Sequence, residues 1–246
     1  MAATNLPAAG DSKARTQFYT LQNFYLKQGT QLGRLHEYLS QSLLPAMNQV
    51  HDGPRIVLDA LVATHMPQVM VVTGYRCIEE YEEVEKKLRQ NTDLAKGFAK
   101  WESGAEAPYE HYAVTLLAAT EYSPEIVALA EAPKSPRIFE LRVYHSPTQR
   151  QLALLHERFA GPEIKIFHRV GVHPLFYTQT VFGPNMPNLT YLIPFADLAA
   201  REKAWNTFGA DPEWIKVRQE SIERGGQISS VQQMSLFRAA PYSPIK

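Results

Sequence analysis

The stretch Gln-Leu-Gly-Arg-Leu-His-Glu at residues 31–37 returns as Gln-Leu-Ala-Leu-Leu-His-Glu at residues 151–157, an offset of 120 positions. Further identical residues share this offset: Leu21 and Leu141, Val50 and Val170, Pro54 and Pro174, and Met66-Pro67 and Met186-Pro187. Matches held in one register indicate an internal duplication. The sequence therefore predicts two structurally similar halves.

The second half has the clearest secondary-structure pattern. Pro136–Tyr144 alternates between apolar and mostly polar residues, as a strand with two different faces does. Ser146-Pro147-Thr148-Gln149 predicts a helix capped by Ser146. Two strands, a helical region that begins after the cap Asp197, and a last strand at Val231–Arg238 follow. The predicted order is β-α-β-β-α-β, the ferredoxin-like arrangement.

The first half repeats this order, so the fold class is α+β with two tandem ferredoxin-like repeats. We divide the chain into a disordered tail (1–15), a first repeat (16–121), a linker (122–135), a second repeat (136–240) and a short C-terminal tail (241–246). A four-stranded sheet with helices on one side leaves an open face that is usually covered. We therefore expect the two sheets to pair into one closed β-barrel with the helices outside.

Composition narrows the possible partners and locations. Lysine plus arginine and aspartate plus glutamate each number 25, so the formal net charge is zero and nucleic acid is disfavoured as a partner. No apolar run approaches the ~20 residues of a membrane helix. We expect a soluble protein, either cytoplasmic or exported after removal of a leader that this sequence lacks; the sequence leaves a homo-oligomer open.

Four segments of the second half form a recognisable pattern: Phe139–Tyr144, His168–Gly171, Arg201–Trp205 with Phe208, and Asp211–Trp214. Together they carry a resemblance to the NIPSNAP family of the dimeric α+β barrel superfamily. It implies tandem NIPSNAP-like domains that build, within one chain, a barrel that related proteins build by dimerising. The superfamily includes monooxygenases, haem-degrading enzymes, dehydratase-like proteins and members without an established activity, so fold alone does not assign a function.

The first half departs from this pattern, because Thr20 and Gln22 stand where the second half has Glu140 and Arg142. If the apolar residues of the 136–144 strand pack on the helices, then Glu140, Arg142 and Tyr144 face the barrel interior. A carboxylate and a guanidinium there can bind a polar ligand or form a structural ion pair that closes the barrel. Both interpretations stay open.

Other polar residues are weaker candidates for the same cavity. Asp59, Tyr177 and Gln179 line it if the second strand of each repeat turns that face inward. On the last strand of the first repeat, His111 is predicted to point inward, where an imidazole suits proton transfer or metal ligation. His168, which is part of the NIPSNAP pattern, is a second candidate catalytic residue at the cavity mouth. A hydrogen-bonding role is the alternative for each histidine.

No sequence pattern identifies a cofactor or a metal. The chain has no glycine-rich nucleotide loop and no cysteine–histidine cluster with zinc spacing. Haem is compatible with the superfamily, but no residue pattern supports it. The repeated His36-Glu37 and His156-Glu157 pairs are predicted to serve packing or surface contacts.

We therefore predict a NIPSNAP-like protein that binds a small, partly apolar molecule in the barrel cavity; whether it is an enzyme stays open. One alternative is a cofactor-light or haem-associated monooxygenase. The other is a structural protein whose barrel is filled by its own side chains.

Overall fold

The computed structural model describes residues 15–129, 131, 133 and 135–246, and nearly all of the predicted 1–15 tail lies outside them. Its strands are β1 (Phe18–Tyr25), β2 (Arg55–Val62), β3 (Gln68–Tyr75), β4 (His111–Ala119), β5 (Ile138–His145), β6 (Phe176–Phe182), β7 (Asn188–Phe195) and β8 (Val231–Ala239). Its helices are α1 (Gln31–Tyr38), α2 (Leu44–Val50), α3 (Ile78–Gln90), α4 (Thr92–Glu102), α5 (Gln149–Arg158), α6 (Ile164–Arg169), α7 (Leu198–Ala210) and α8 (Pro212–Gly225).

The two halves contain the same elements in the same order, which confirms the tandem α+β architecture. In each half, a short π-helical segment joins the first two helices, at Leu39–Leu43 and Phe159–Glu163. The sequence did not predict these segments. The predicted cap of α5 is wrong: Thr148, and not Ser146, accepts a hydrogen bond from the backbone N–H of Gln151. Ser146 instead donates its hydroxyl to the carbonyl of Ile228.

The eight strands form one closed antiparallel barrel in the order β1-β3-β2-β8-β5-β7-β6-β4. Each half supplies four neighbouring strands, and two seams join them, β2 with β8 and β4 with β6. The predicted pairing of the two sheets within one chain is confirmed. No helix in the part of the chain that the structure describes is long and apolar enough to cross a membrane.

The apolar side chains form three cores. One fills one end of the barrel with side chains from both halves, including Tyr19, Phe139, Phe176 and Phe237. The other two lie outside the barrel, between each half's strands and its own helices. Six of the strands, β1, β2, β3, β5, β6 and β7, therefore bury side chains on both of their faces.

The segments after β4 and β8 cross to the opposite half in a reciprocal way. The Tyr122 hydroxyl shares a hydrogen bond of 2.6 Å with Nδ1 of His156, and the Tyr242 hydroxyl shares one of 2.6 Å with Nδ1 of His36. The contacts lie at the start of the predicted linker and of the predicted C-terminal tail. The predicted packing role of the two histidines thus has a specific partner in each half.

The serines that follow these tyrosines bind the backbone of the opposite half. Ser123 Oγ accepts the N–H of Tyr177 at 3.0 Å, and Ser243 Oγ accepts the N–H of Val57 at 3.0 Å. Both bonds are buried and lie beside a seam of the barrel. They therefore tie the end of each half to the other.

Replacing either serine by alanine should destabilise the whole barrel. Ser123→Ala and Ser243→Ala each leave a buried N–H without its partner, which costs about 1–3 kcal/mol. Urea unfolding should show a similar decrease in the free energy of unfolding for the two variants, because the two serines make equivalent contacts. Ser103→Ala, which removes a surface bond to the Lys100 carbonyl, is the control. Unfolding midpoints equal to that of the control would show that these serines do not stabilise the contact between the two halves.

Candidate functional site

The barrel interior opens into a cavity of about 280 Å³ at the end opposite its aromatic core. We call this space the barrel cavity. It is bounded at its mouth by the β2–β3 and β6–β7 hairpins, which contribute Thr64 and Asn185. Leu21, Leu141 and Phe237 form an apolar part of its wall. The cavity therefore offers one concave, partly apolar space inside the closed sheet.

Neutral polar side chains line the rest of the barrel cavity. Gln68 Nε2 donates to Asn23 Oδ1 at 2.8 Å, and Thr180 Oγ1 donates to Asn188 Oδ1 at 2.9 Å. These amides and hydroxyls can offer donors and acceptors to a bound molecule. Among the described residues that line the cavity, none carries a formal charge. A neutral occupant therefore fits the lining better than an ion does.

The predicted inward face of β5 is wrong. Phe139, Leu141 and Val143 point into the barrel, whereas Glu140 and Arg142 face the helices of the second half, and Tyr144 packs there with α5. The sequence pattern distinguishes two faces correctly. It misassigns them because the helices cover the polar face and the barrel interior takes the apolar one.

Glu140 is the centre of a closed network beneath α7. Its Oε1 accepts from Arg142 Nη1 at 2.6 Å. Its Oε2 accepts from Arg201 Nε at 2.6 Å and from Trp205 Nε1 at 3.0 Å. The Arg142 guanidinium lies 4.2 Å from the centre of the Trp205 ring, a cation–π contact. Because Glu140 is fully buried and its charge is matched by two arginines, this geometry resembles the predicted structural ion pair more than an open ligand site.

A second buried carboxylate, Glu163, lies in the same sheet–helix layer and was not predicted. The π-helical segment that ends at Glu163 brings Arg158, five residues earlier, within 2.6 Å of its Oε2. Burial raises the pKa of Glu163, and the Arg158 charge opposes that rise. The hydroxyls of Tyr177 and Tyr191, also in this layer, find no hydrogen-bond partner among the described residues.

Asp59, Tyr177 and Gln179 also lie outside the barrel cavity, because the second strand of each repeat does not turn that face inward. Asp59 Oδ1 is 3.1 Å from His36 Nε2 on the helix side of β2. Burial lowers the pKa of His156, and the neighbouring Gln179 side chain partly opposes that shift. The inner positions of β2 and β6 carry apolar residues such as Ile56, Leu58 and Phe176.

The two candidate catalytic histidines lie apart. His111 is on the predicted face of β4, but it lies at the exposed strand end, stacked on Tyr25 at 4.3 Å. His168 lies at the end of α6, stacked on His173 at 5.0 Å, and burial lowers its pKa. Since α6 packs outside the sheet, His168 does not line the barrel cavity. A catalytic role for either residue stays a prediction.

One group of metal-ligand residue types comes together in the first half. Ligand atoms of His51, Asp52 and Glu80 lie within 4.8 Å of one another. Arg76 already binds Glu80 through Nε at 2.9 Å and approaches Asp52 at 3.3 Å. This guanidinium neutralises the negative charge that the two carboxylates would otherwise offer to a cation.

Comparison with solved structures shows the same overall fold. A proposed monooxygenase of Fusobacterium nucleatum subsp. nucleatum superposes with a TM-score of 0.59 and 9% identity, over 92% of this chain and 93% of that one. A proposed monooxygenase of Lactobacillus acidophilus NCFM gives a TM-score of 0.55 and 11% identity, over 92% and 94% of the two chains. An anthrone oxidase-like protein gives 0.54 and 11%, over 92% of each chain. No curated protein matches the sequence.

Eight strands, two repeated units and helices outside define an α+β barrel of the dimeric class, here closed within a single chain. The sequence model of the NIPSNAP family matches residues 139–244. The second half of the chain therefore matches the NIPSNAP family model over nearly its whole length. The match contains the Glu140 network as well as the strands that form half of the barrel.

Removing the Glu140 carboxylate should destabilise the protein strongly. Glu140→Ala leaves the buried Arg142 guanidinium without its ion-pair partner, at a cost of about 3–5 kcal/mol. The control is Thr20→Ala at the equivalent position of the first half, where no charge is involved, and it should cost about 1 kcal/mol. Chemical denaturation of both variants measures the difference. Losses of equal size would show that the network contributes no more than local packing.

Proposed function

We propose that the barrel cavity binds a small, neutral, partly apolar molecule. The supporting observation is the uncharged lining of a 280 Å³ space that combines leucine and phenylalanine side chains with amides and hydroxyls. Ligand sites commonly pair an apolar wall with a few polar groups that orient the molecule. A buried ion would lack a partner of opposite charge in this lining.

The size of the barrel cavity limits the ligand. Its volume is slightly below the ~300–1,000 Å³ of typical ligand pockets, which favours a compact molecule. A haem macrocycle is too large to be enclosed there, and His111, which was predicted to point inward, lies at the exposed end of its strand. The residues present do not fit a haem site, so the haem-associated alternative receives no support from this cavity.

Filling the cavity should abolish binding of a neutral probe. With 2-naphthol as the probe and 2-naphthoate as its anionic analogue, ligand-observed NMR should detect binding of the neutral molecule alone. Val143→Trp places an indole in the cavity and should remove the signal. Val62→Trp, at a position that is 59% exposed, is the control and should retain it.

Circular dichroism must show that both tryptophan variants keep the wild-type fold. The proposal fails if 2-naphthol does not bind the wild-type protein or binds Val143→Trp as well as Val62→Trp. It also fails in its specification of a neutral ligand if 2-naphthoate binds with equal affinity.

The alternative function is a cofactor-independent oxygenation in the same barrel cavity. It is favoured by the position of His111, which is next to Tyr25, a residue of the cavity lining, and 5.4 Å from the ring of His65. Two imidazoles near the mouth could accept a proton from a bound substrate. Two solved structures with the same fold over 92% of this chain are described as proposed monooxygenases, which makes this reaction class worth testing.

Oxygen uptake with anthrone separates binding from catalysis. If the barrel only binds, uptake should equal that of buffer. Uptake that depends on the protein, and that falls by at least about tenfold in His111→Ala, would instead support the oxygenation alternative. His145→Ala is the control for removing a histidine from a strand end.

A further inference from the structure

A second concave site lies outside the barrel, on the first half alone. It is a pocket of about 510 Å³ between α3, α4 and the outer face of β1 and β4. We call it the α3–α4 pocket. Its wall includes Gln22, Phe24, Glu85, Trp101 and Tyr112. Phe98 and Tyr112, 39% and 41% exposed, lie where the pocket meets solvent.

Aromatic rings form a large part of the pocket wall. Phe24 and Tyr112, on neighbouring strands, have ring centres 4.9 Å apart, and Tyr38 stacks on Trp101 at 4.6 Å. The faces of such rings carry negative electrostatic potential. A cation close to them is therefore attracted, and the attraction grows when water is excluded.

Two charged residues of α3, Glu85 and Arg89, line the same pocket. Arg89 Nη1 approaches Glu85 Oε2 at 3.9 Å, but the Arg89 side chain is 70% exposed, so it neutralises Glu85 weakly. Burial raises the pKa of Glu85. A positive group inside the pocket would stabilise its ionised form.

The equivalent region of the second half contains a positively charged side chain. At the positions equivalent to Gln22 and Glu85 it has Arg142 and Trp205. The Arg142 guanidinium lies against the rings of Trp205 and Tyr144, at 4.2 and 5.2 Å, and pairs with Glu140. The second half thus carries a cation of its own on the outer face of its sheet.

The first half lacks that internal cation but keeps aromatic and acidic neighbours. Gln22 is shorter than arginine and neutral, and Phe24 occupies the position of Tyr144. Glu85, in place of Trp205, brings a negative charge from α3. The space, the aromatic faces and the carboxylate therefore occur together in the half from which the guanidinium is missing.

We infer that the α3–α4 pocket binds a small organic cation with an apolar body, and that the charged group lies between Glu85 and the aromatic wall. This site is separate from the barrel cavity and prefers a cation, whereas the barrel cavity is proposed to prefer a neutral molecule. The neighbouring Tyr38, Trp101 and Leu88 provide the apolar surface for the rest of the molecule.

Three matched probes test the charge preference: 3-phenylpropylammonium, 3-phenylpropanol and 3-phenylpropanoate. Titration calorimetry at neutral pH should show that the ammonium binds at least about tenfold more tightly than the alcohol, as expected for a partly desolvated cation–π and ion-pair site. The anionic probe, 3-phenylpropanoate, should not bind. An alcohol that binds as tightly as the ammonium, or an ammonium that does not bind, would overturn the inference.

Two variants assign the binding to the pocket. Glu85→Gln should lower the affinity for 3-phenylpropylammonium by about tenfold. Glu82→Gln, on the exposed side of α3, should leave that affinity unchanged. Gln22→Arg should abolish binding, because it supplies the internal guanidinium that the second half already has.

Unchanged affinity in Glu85→Gln would refute this assignment, even if Gln22→Arg fails to fold. Val143→Trp, which fills the barrel cavity, should not change the affinity for 3-phenylpropylammonium. Failure of the barrel-cavity proposal and failure of this inference are therefore distinguishable.

Discussion

The inner faces of the two four-stranded sheets bury apolar side chains from both halves, and they are kept from water because they face each other within one chain. The seams β2–β8 and β4–β6 achieve this while pairing strand edges that would otherwise be exposed. The other features depend on this closure. It creates the aromatic core at one end and leaves the barrel cavity at the other, and it places Tyr122 and Tyr242 where each can reach the opposite half.

The two halves share a backbone plan but differ on their outer faces. The second half buries charge there, with Glu140 between Arg142 and Arg201 and with Glu163 beside Arg158. At the corresponding positions of these acids, the first half has Thr20 and Leu43. Buried ion pairs stabilise little unless every charge has a partner. A half that loses the arginine can therefore lose the acid with it, and the space that remains is lined by aromatic residues.

Most of the fold follows from the sequence because strand alternation and the offset of 120 positions are local, repeated signals. The orientation of β5 does not, since both of its faces are buried, and alternation shows only that they differ. Glu163 was missed for another reason. In a regular α-helix, residues five apart point in directions about 140° apart, so its contact with Arg158 requires the π-helical segment, which no residue pattern revealed. The α3–α4 pocket arises from what Gln22 lacks relative to Arg142, a difference that has structural meaning only once Phe24 and Tyr112 are placed around it.

The reciprocal tyrosine and serine contacts hold together two halves that are also joined covalently, and this covalent connection has two consequences. Two separate copies of one module would meet at a rate set by their concentration, and any change in one would occur in both. A tether keeps the partner at a high effective concentration whatever the amount of protein. It also lets one module retain a tightly paired ionic interior while its sibling opens a recess, because neither has to remain compatible with a copy of itself.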